Sequence, residues 1–164
     1  MKPLPVVLTI QGRDYEVPAA MAADWLLVLM QDPIELDDMV STMVTDGEEL
    51  LFDEAVGMEL YDACLEVISH VSGRPWWQAM RLIAVATQNW NTVGAEMMYR
   101  GFLAQQVSLS AWLDVLLLVI LKMIDPKEAN MFLLRLEDPP KELDDGAEAT
   151  EPEMDRNAFL ALGQ

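Results

Sequence analysis

The amino-acid sequence predicts a mainly α-helical fold: an N-terminal β-hairpin, a compact bundle of about six helices, and an acidic C-terminal tail. Three observations carry this. Residues 6–17 place two β-branched or aromatic runs on either side of a glycine-containing turn. From there to Pro139-Pro140, apolar residues recur at helical spacing between helix-start and helix-stop signals. Beyond Pro140 the chain turns acidic and poor in apolar residues. Residues 1–140 are therefore read as one domain. Residues 141–164 are read as a disordered tail, with one short contact segment at Phe159-Leu160-Ala161-Leu162.

The hairpin is expected from Val6–Ile10, a turn at Gln11-Gly12-Arg13-Asp14, and Tyr15–Val17, closed by Pro18. A lone hairpin is marginal, so it must lie on the helices. A helix follows over Ala19–Gln31, with Trp25, Val28 and Leu29 at core spacing. Asp32-Pro33-Ile34-Glu35 has the pattern of a capping box with proline at the first helical position. The helix it opens carries Leu36, Met39, Val40, Met43 and Val44 on one face, and Asp46-Gly47 stops it. Asp53 opens a third helix to Ser72, striped by Val56, Leu60, Cys64, Val67 and Val71 and ended by Gly73.

Pro75 suits the first turn of the next helix, whose predicted stripe is Trp76, Met80, Ile83, Thr87 and Trp90. A weaker helix spans about Gly94 to Leu103. Ser108 or Ser110 caps the most apolar helix, which reaches Ile124. Asp125-Pro126-Lys127-Glu128 repeats the capping pattern and starts the last helix, Met131–Leu136.

Composition narrows the function. The chain has 164 residues, 52% of them apolar, enough for one core without metal or disulfide support. Its single cysteine, Cys64, fits a reducing compartment. The N-terminus is not read as a signal peptide, because Gln11, Arg13, Asp14 and Glu16 follow the apolar run at once. The run Val115–Leu121, bracketed by Asp114 and Lys122, is far shorter than the roughly 20 residues of a membrane span.

The net charge is −18, from 28 acids and 10 bases. This disfavours binding to nucleic acid or to anionic membranes. The acids are unevenly spread: residues 14–73 hold 15 acids and no Lys or Arg, whereas residues 74–137 hold 5 acids and 6 bases. Such a surface either keeps a sticky protein soluble or mimics the charge of DNA.

Signals for catalysis are weak. His70 is the only histidine, and Cys64 lies six positions before it on the same predicted helix, on a different face. A buried cysteine and a helix-end histidine explain both better than a nucleophile pair. Asp37-Asp38 and Glu48-Glu49 lack the alternation of a calcium loop, and no glycine-rich phosphate loop is present. No catalytic residue, metal or cofactor is expected.

Signals for binding a protein are better. The five tryptophans are read mostly as core, with one exception. Trp76 takes the stripe, so Trp77 points about 100° away and either fills a second layer or anchors a partner. Arg74 beside it is the first base after the acidic stretch. The 12 methionines suit a surface that accommodates varied apolar contacts. Met97, Met98 and Met21 are the ones expected to be exposed. Arg74, Trp77, Met97 and Met98 are thus the candidate partner-binding residues.

The order of these motifs resembles a known family. Val71-Ser72-Gly73-Arg74-Pro75-Trp76-Trp77, the later Trp90, Leu109-Ser110-Ala111-Trp112-Leu113-Asp114, Asp125-Pro126-Lys127 and Leu136-Glu137-Asp138-Pro139-Pro140 look like the tail assembly chaperones of siphophages infecting actinobacteria. The resemblance covers roughly residues 5–140. It implies a non-enzymatic protein of the host cell cytoplasm, absent from the mature virion. Such a protein coats the long, apolar, helical tape measure protein before the tail tube polymerises around it. The resemblance further implies a longer, frameshifted form of the same chain as a second partner, with the segment after Pro140 replaced or extended. The competing reading from charge alone is an acidic DNA mimic or inhibitor that occupies a basic host protein.

Overall fold

The computed structural model describes residues 6–31, 34–45, 47–51 and 57–140. Within them the chain is mainly helical behind an N-terminal antiparallel hairpin. The expected features at Asp32, Pro33, Asp46, Asp53 and Val56, and the whole acidic tail, lie outside the described residues.

The hairpin pairs β1 (Val6–Ile10) with β2 (Arg13–Val17), in the register Ile10 to Arg13 and Leu8 to Tyr15. The sequence suggested a longer turn. Gln11 and Gly12 both have positive φ, 50° and 73°, as in the tight two-residue turn whose twist matches paired strands. Arg13 and Asp14 are thereby recruited into the second strand. Leu8, Ile10, Tyr15 and Val17 face inward, while Val7, Thr9, Asp14 and Glu16 face outward, the alternation of a half-buried strand pair.

Three polar ties hold the hairpin to the helices. The Gln11 amide donates to Glu59 Oε1 at 2.7 Å. The Thr45 amide donates to the Glu16 carbonyl at 3.1 Å. Glu49 Oε1 accepts from the Tyr15 hydroxyl at 2.9 Å and from Arg13 Nη1 at 3.0 Å.

Seven α-helices follow among the described residues: α1 (Ala22–Leu29), α2 (Leu36–Met43), α3 (Gly57–Ser72), α4 (Trp76–Gln88), α5 (Trp90–Tyr99), α6 (Leu109–Met123) and α7 (Pro126–Glu137). A short 3-10 segment, Gly47–Leu51, links α2 towards α3. Helix α1 starts three residues later than its sequence suggests, because the Asp24 carboxylate accepts the Met21 amide at 2.8 Å and fixes the start there. Two further amides at that end, of Ala22 and Ala23, donate to the carbonyls of Val107 and Ala104 at 2.9 and 3.0 Å. The loop before α6 thus satisfies amides that a helix start leaves open.

At the start of α2 Glu35 is extended and stands as the N-cap, without a side-chain cap bond, so the described helix begins at Leu36. At α6 the choice between two serines resolves to Ser108, whose Oγ accepts from the Ala111 amide at 3.3 Å. Asp125 caps α7 as expected, accepting from the Lys127 amide at 2.8 Å, with Pro126 at the first helical position. That helix runs from Pro126 to Glu137, starting five residues before its predicted start at Met131 and ending one residue past its predicted end at Leu136.

Helix α6 is the axis of the core. Leu109, Trp112, Leu113, Leu116, Val119 and Ile120 are all buried, and the helix touches α1, α3, α4 and α5. The core continues through Trp25 of α1, Met43 of α2 and Leu60, Cys64 and Val67 of α3.

Helix α4 differs from its predicted stripe. Its buried face is Ala79, Leu82, Ile83 and Ala86, rotated by roughly 80° from the expected one. Small alanines let α4 lie close to its neighbours, and the bulky Trp76 is pushed to the half-buried edge. Trp90, expected on the same stripe, belongs to the next helix. Asn89 ends α4 and precedes α5 with φ −116° and ψ 27°, which breaks the helical phase between them.

Two predictions follow from these contacts. Gly73 ends α3 with φ +66°, and a Cβ there would lie 3.0 Å from Ser110 Oγ. Gly73→Ala should therefore cost about 1–2 kcal/mol in urea unfolding, from left-handed strain and the close serine. The bonds from Tyr15 and then Arg13 hold the Glu49 carboxyl below its ordinary range. A lowered folded value stabilises the native state above the unfolded value and loses that contribution as pH falls through the folded one. Acid titration of Glu49→Gln should accordingly show a shallower loss of stability than the parent chain below the ordinary carboxylate range.

Candidate protein-binding surface

The junction between α3 and α4 is built from serines. Ser69 Oγ donates to the Leu65 carbonyl at 2.9 Å and accepts the Trp76 amide at 3.0 Å, so the end of one helix caps the start of the next. Ser72, 1% exposed, shares its hydroxyl between the carbonyls of Arg74 at 3.0 Å and Ser69 at 3.3 Å. The sequence reading passed over both serines. Their signal was present as two hydroxyls within one turn of a helix stop.

Arg74 and Trp77 are part of this junction's interior. The Arg74 side chain is 13% exposed, and its guanidinium pairs with Asp114 at the start of α6. Its Nε is buried without an acceptor among the described residues, as is Trp77 Nε1. Trp77 is half-buried and meets Trp76 edge-on, with ring centroids 6.0 Å apart and planes at 89°. Of the two roles expected for Trp77, the second packing layer fits this burial. Arg74 ties α3–α4 to α6, which is a structural reason for its presence.

The two adjacent methionines separate. Met97 is 2% exposed, so its expected exposure is overturned, whereas Met98 is 68% exposed. Helical geometry explains the split: Val93 and Met97, four apart, face inward, and Met98 is turned about 100° away. Met21, also expected outside, is only partly exposed where it precedes α1.

Met98 belongs to a wider apolar face. Trp90, Gly94, Met98, Asn91, Ala95 and Tyr99 fan across roughly half of the circumference of α5. None carries a charge. Trp90 is 44%, Tyr99 88% and the following Leu103 36% exposed. The indole of Trp90 rests over Gly94 and beside Trp112, with centroids 6.4 Å apart. It is thus held on the core at one side and open at the other. Glu96 and Arg100 pair with each other at the edge of the face, the Arg100 Nε donating at 2.8 Å. Small residues flanked by large apolar ones form a surface against which another helix can pack closely.

Trp90 and Tyr99 were missed as surface residues because the sequence assigned one to the α4 stripe and left the other unassigned. Leu118, Met123, Met131 and Leu134 are also exposed, on α6 and α7. The outward face of α1–α3 carries acids instead: Asp24, Glu35, Asp38, Glu59, Asp62 and Glu66 are all exposed.

The remaining chemistry is consistent with packing. Cys64 is buried, which pushes its thiol up to about 12, and His70 is exposed on another face of α3. Among the described residues no group of three or more His, Cys, Asp or Glu is placed to hold a metal ion. No helix among them is long and apolar enough to cross a membrane. The chain matches no family model, no curated protein and no solved structure.

The contrast between adjacent methionines is directly measurable. Dilute hydrogen peroxide should convert Met98 to its sulfoxide well before Met97, as read by peptide mass spectrometry. Equal rates would place Met97 at the surface and remove the inward face of α5.

Proposed function

We propose that the chain is a tail assembly chaperone of the siphophage type. It binds the tape measure protein in the host cell cytoplasm, keeps it soluble while the tail tube assembles, and leaves before the virion is complete. The observation that carries this reading is the uncharged face of α5, with Trp90, Met98 and Tyr99 exposed on a chain of net charge −18. A long apolar helical client needs apolar helix faces to lie on, and its carrier needs charge elsewhere to stay dispersed. Methionine and tryptophan supply adaptable apolar contact, and the acidic face of α1–α3 supplies the charge. The motif order from Val71 to Pro140 supports the same family.

The acidic face also supports a second reading, an inhibitor that mimics DNA and occupies a basic protein. The two differ in salt response. Apolar binding should persist from low to high salt, whereas charge-driven binding weakens steeply.

Co-expression with the tape measure protein tests the proposal. The client should stay in the soluble fraction with the parent chain and pellet with the doubly substituted Met98→Asp, Tyr99→Asp chain. Both side chains are exposed, so the variant should keep its helical circular dichroism. A client that is equally soluble without the chain overturns the proposal. So does full protection by the variant. Capture of a basic protein at low salt only would favour the inhibitor.

A further inference from the structure

A second surface has a different character. Helix α4, the end of α6 and α7 enclose an open groove of about 630 Å³. Its apolar lining includes Val85, Ile120, Ile124 and Phe132, and its polar lining includes Arg81, Lys127 and Arg135 against the single acid Glu128. Three of the chain's 10 bases therefore meet at one apolar groove in a protein of net charge −18. Arg81 also fixes the end of α7. Its Nη1 donates to the carbonyls of Arg135, Leu136 and Asp138, the last at 2.5 Å. These include carbonyls that a helix end leaves open. The chain beyond Pro140 thus departs from the groove's own wall.

We propose that this groove receives the C-terminal segment of the same chain, with Phe159, Leu160 and Leu162 on its apolar floor and the segment's acids against its basic rim. The match is one of both chemistry and reach. Residues 141–164 hold 7 acids, 2 bases and one compact apolar cluster, Phe159-Leu160-Ala161-Leu162. A groove that is basic at its rim and apolar at its floor is complementary to that composition. The 19 residues from Pro140 to Phe159 would span roughly 24 Å as a flexible chain, enough to return to a site that begins where they leave. Such tethering raises the local concentration of the segment to about the millimolar range, so weak contacts suffice. Docking there would cover Met131 and the basic rim and leave the α5 face open. The proposal goes beyond the chaperone reading and does not rest on it.

The test places a nitroxide on Ala161→Cys in the full chain. Cys64 is buried and holds its proton at neutral pH, so the label goes to position 161 alone. Methyl NMR signals of Ile120, Ile124 and Met131 should be lost through paramagnetic broadening, while those of Val7 and Leu8 on the hairpin remain. Lys127→Glu, an exposed change on the rim, and Phe159→Asp should each restore the lost signals. Groove signals that persist beside the label overturn the proposal, as does loss spread evenly over the molecule. Loss that appears only when labelled chains are mixed with isotope-enriched unlabelled chains would assign the groove to a second copy and would also overturn it.

Discussion

The burial of α6 is the constraint on which the rest of the fold depends. Six of its side chains, from Leu109 to Ile120, are buried against α1, α3, α4 and α5. At roughly 1.5–3 kcal/mol for each large apolar side chain, this one helix supplies on the order of 10 kcal/mol or more before conformational entropy is charged. Its neighbours are positioned to reach it. Carbonyls of the loop before it accept amides at the start of α1, Asp114 on its first turns holds Arg74, and Trp112 supports Trp90. Helix α5 covers part of this axis with Val93, Met97 and one side of Trp90, and leaves Met98 and Tyr99 exposed.

Much of this architecture was legible in the sequence, for reasons that differ by element. Asp125-Pro126 is a local signal whose side chain acts on an amide two residues on, so no tertiary knowledge was needed to place it, whereas two serines at the start of α6 offered the same local signal and only the structure selects Ser108. The hairpin was legible from alternation and glycine, but its turn was read two residues too long. Positive φ at Gln11 is a conformation that residue identity alone does not announce. Helix α4 was harder. Its predicted stripe followed the largest residues, whereas close packing selected Ala79 and Ala86 and moved the tryptophans to the edge. Size decides hydrophobic pattern only when neighbours leave room for it.

The exposed apolar face was half legible. Met98 was expected outside and is exposed, Met97 is buried, and the exposed aromatics are Trp90 and Tyr99, while Trp77 is half-buried. For Trp90 the cause is local: Asn89 resets the helical phase, so counting from Trp76 through to Trp90 carried the periodicity across a break. Arg74 was singled out for its charge against an acidic background. Its role is explained instead by an ion pair to a residue 40 positions away, which no local pattern reveals.

The central claim is that α5 presents the partner-binding face of an otherwise acidic protein. Hydrogen–deuterium exchange of the chain with and without the tape measure protein tests it most directly, because exchange reports which backbone segments a partner covers. The account predicts slowed exchange concentrated between Trp90 and Leu103, unchanged at high salt. Protection centred on the acidic face of α1–α3, or none at all, would contradict it.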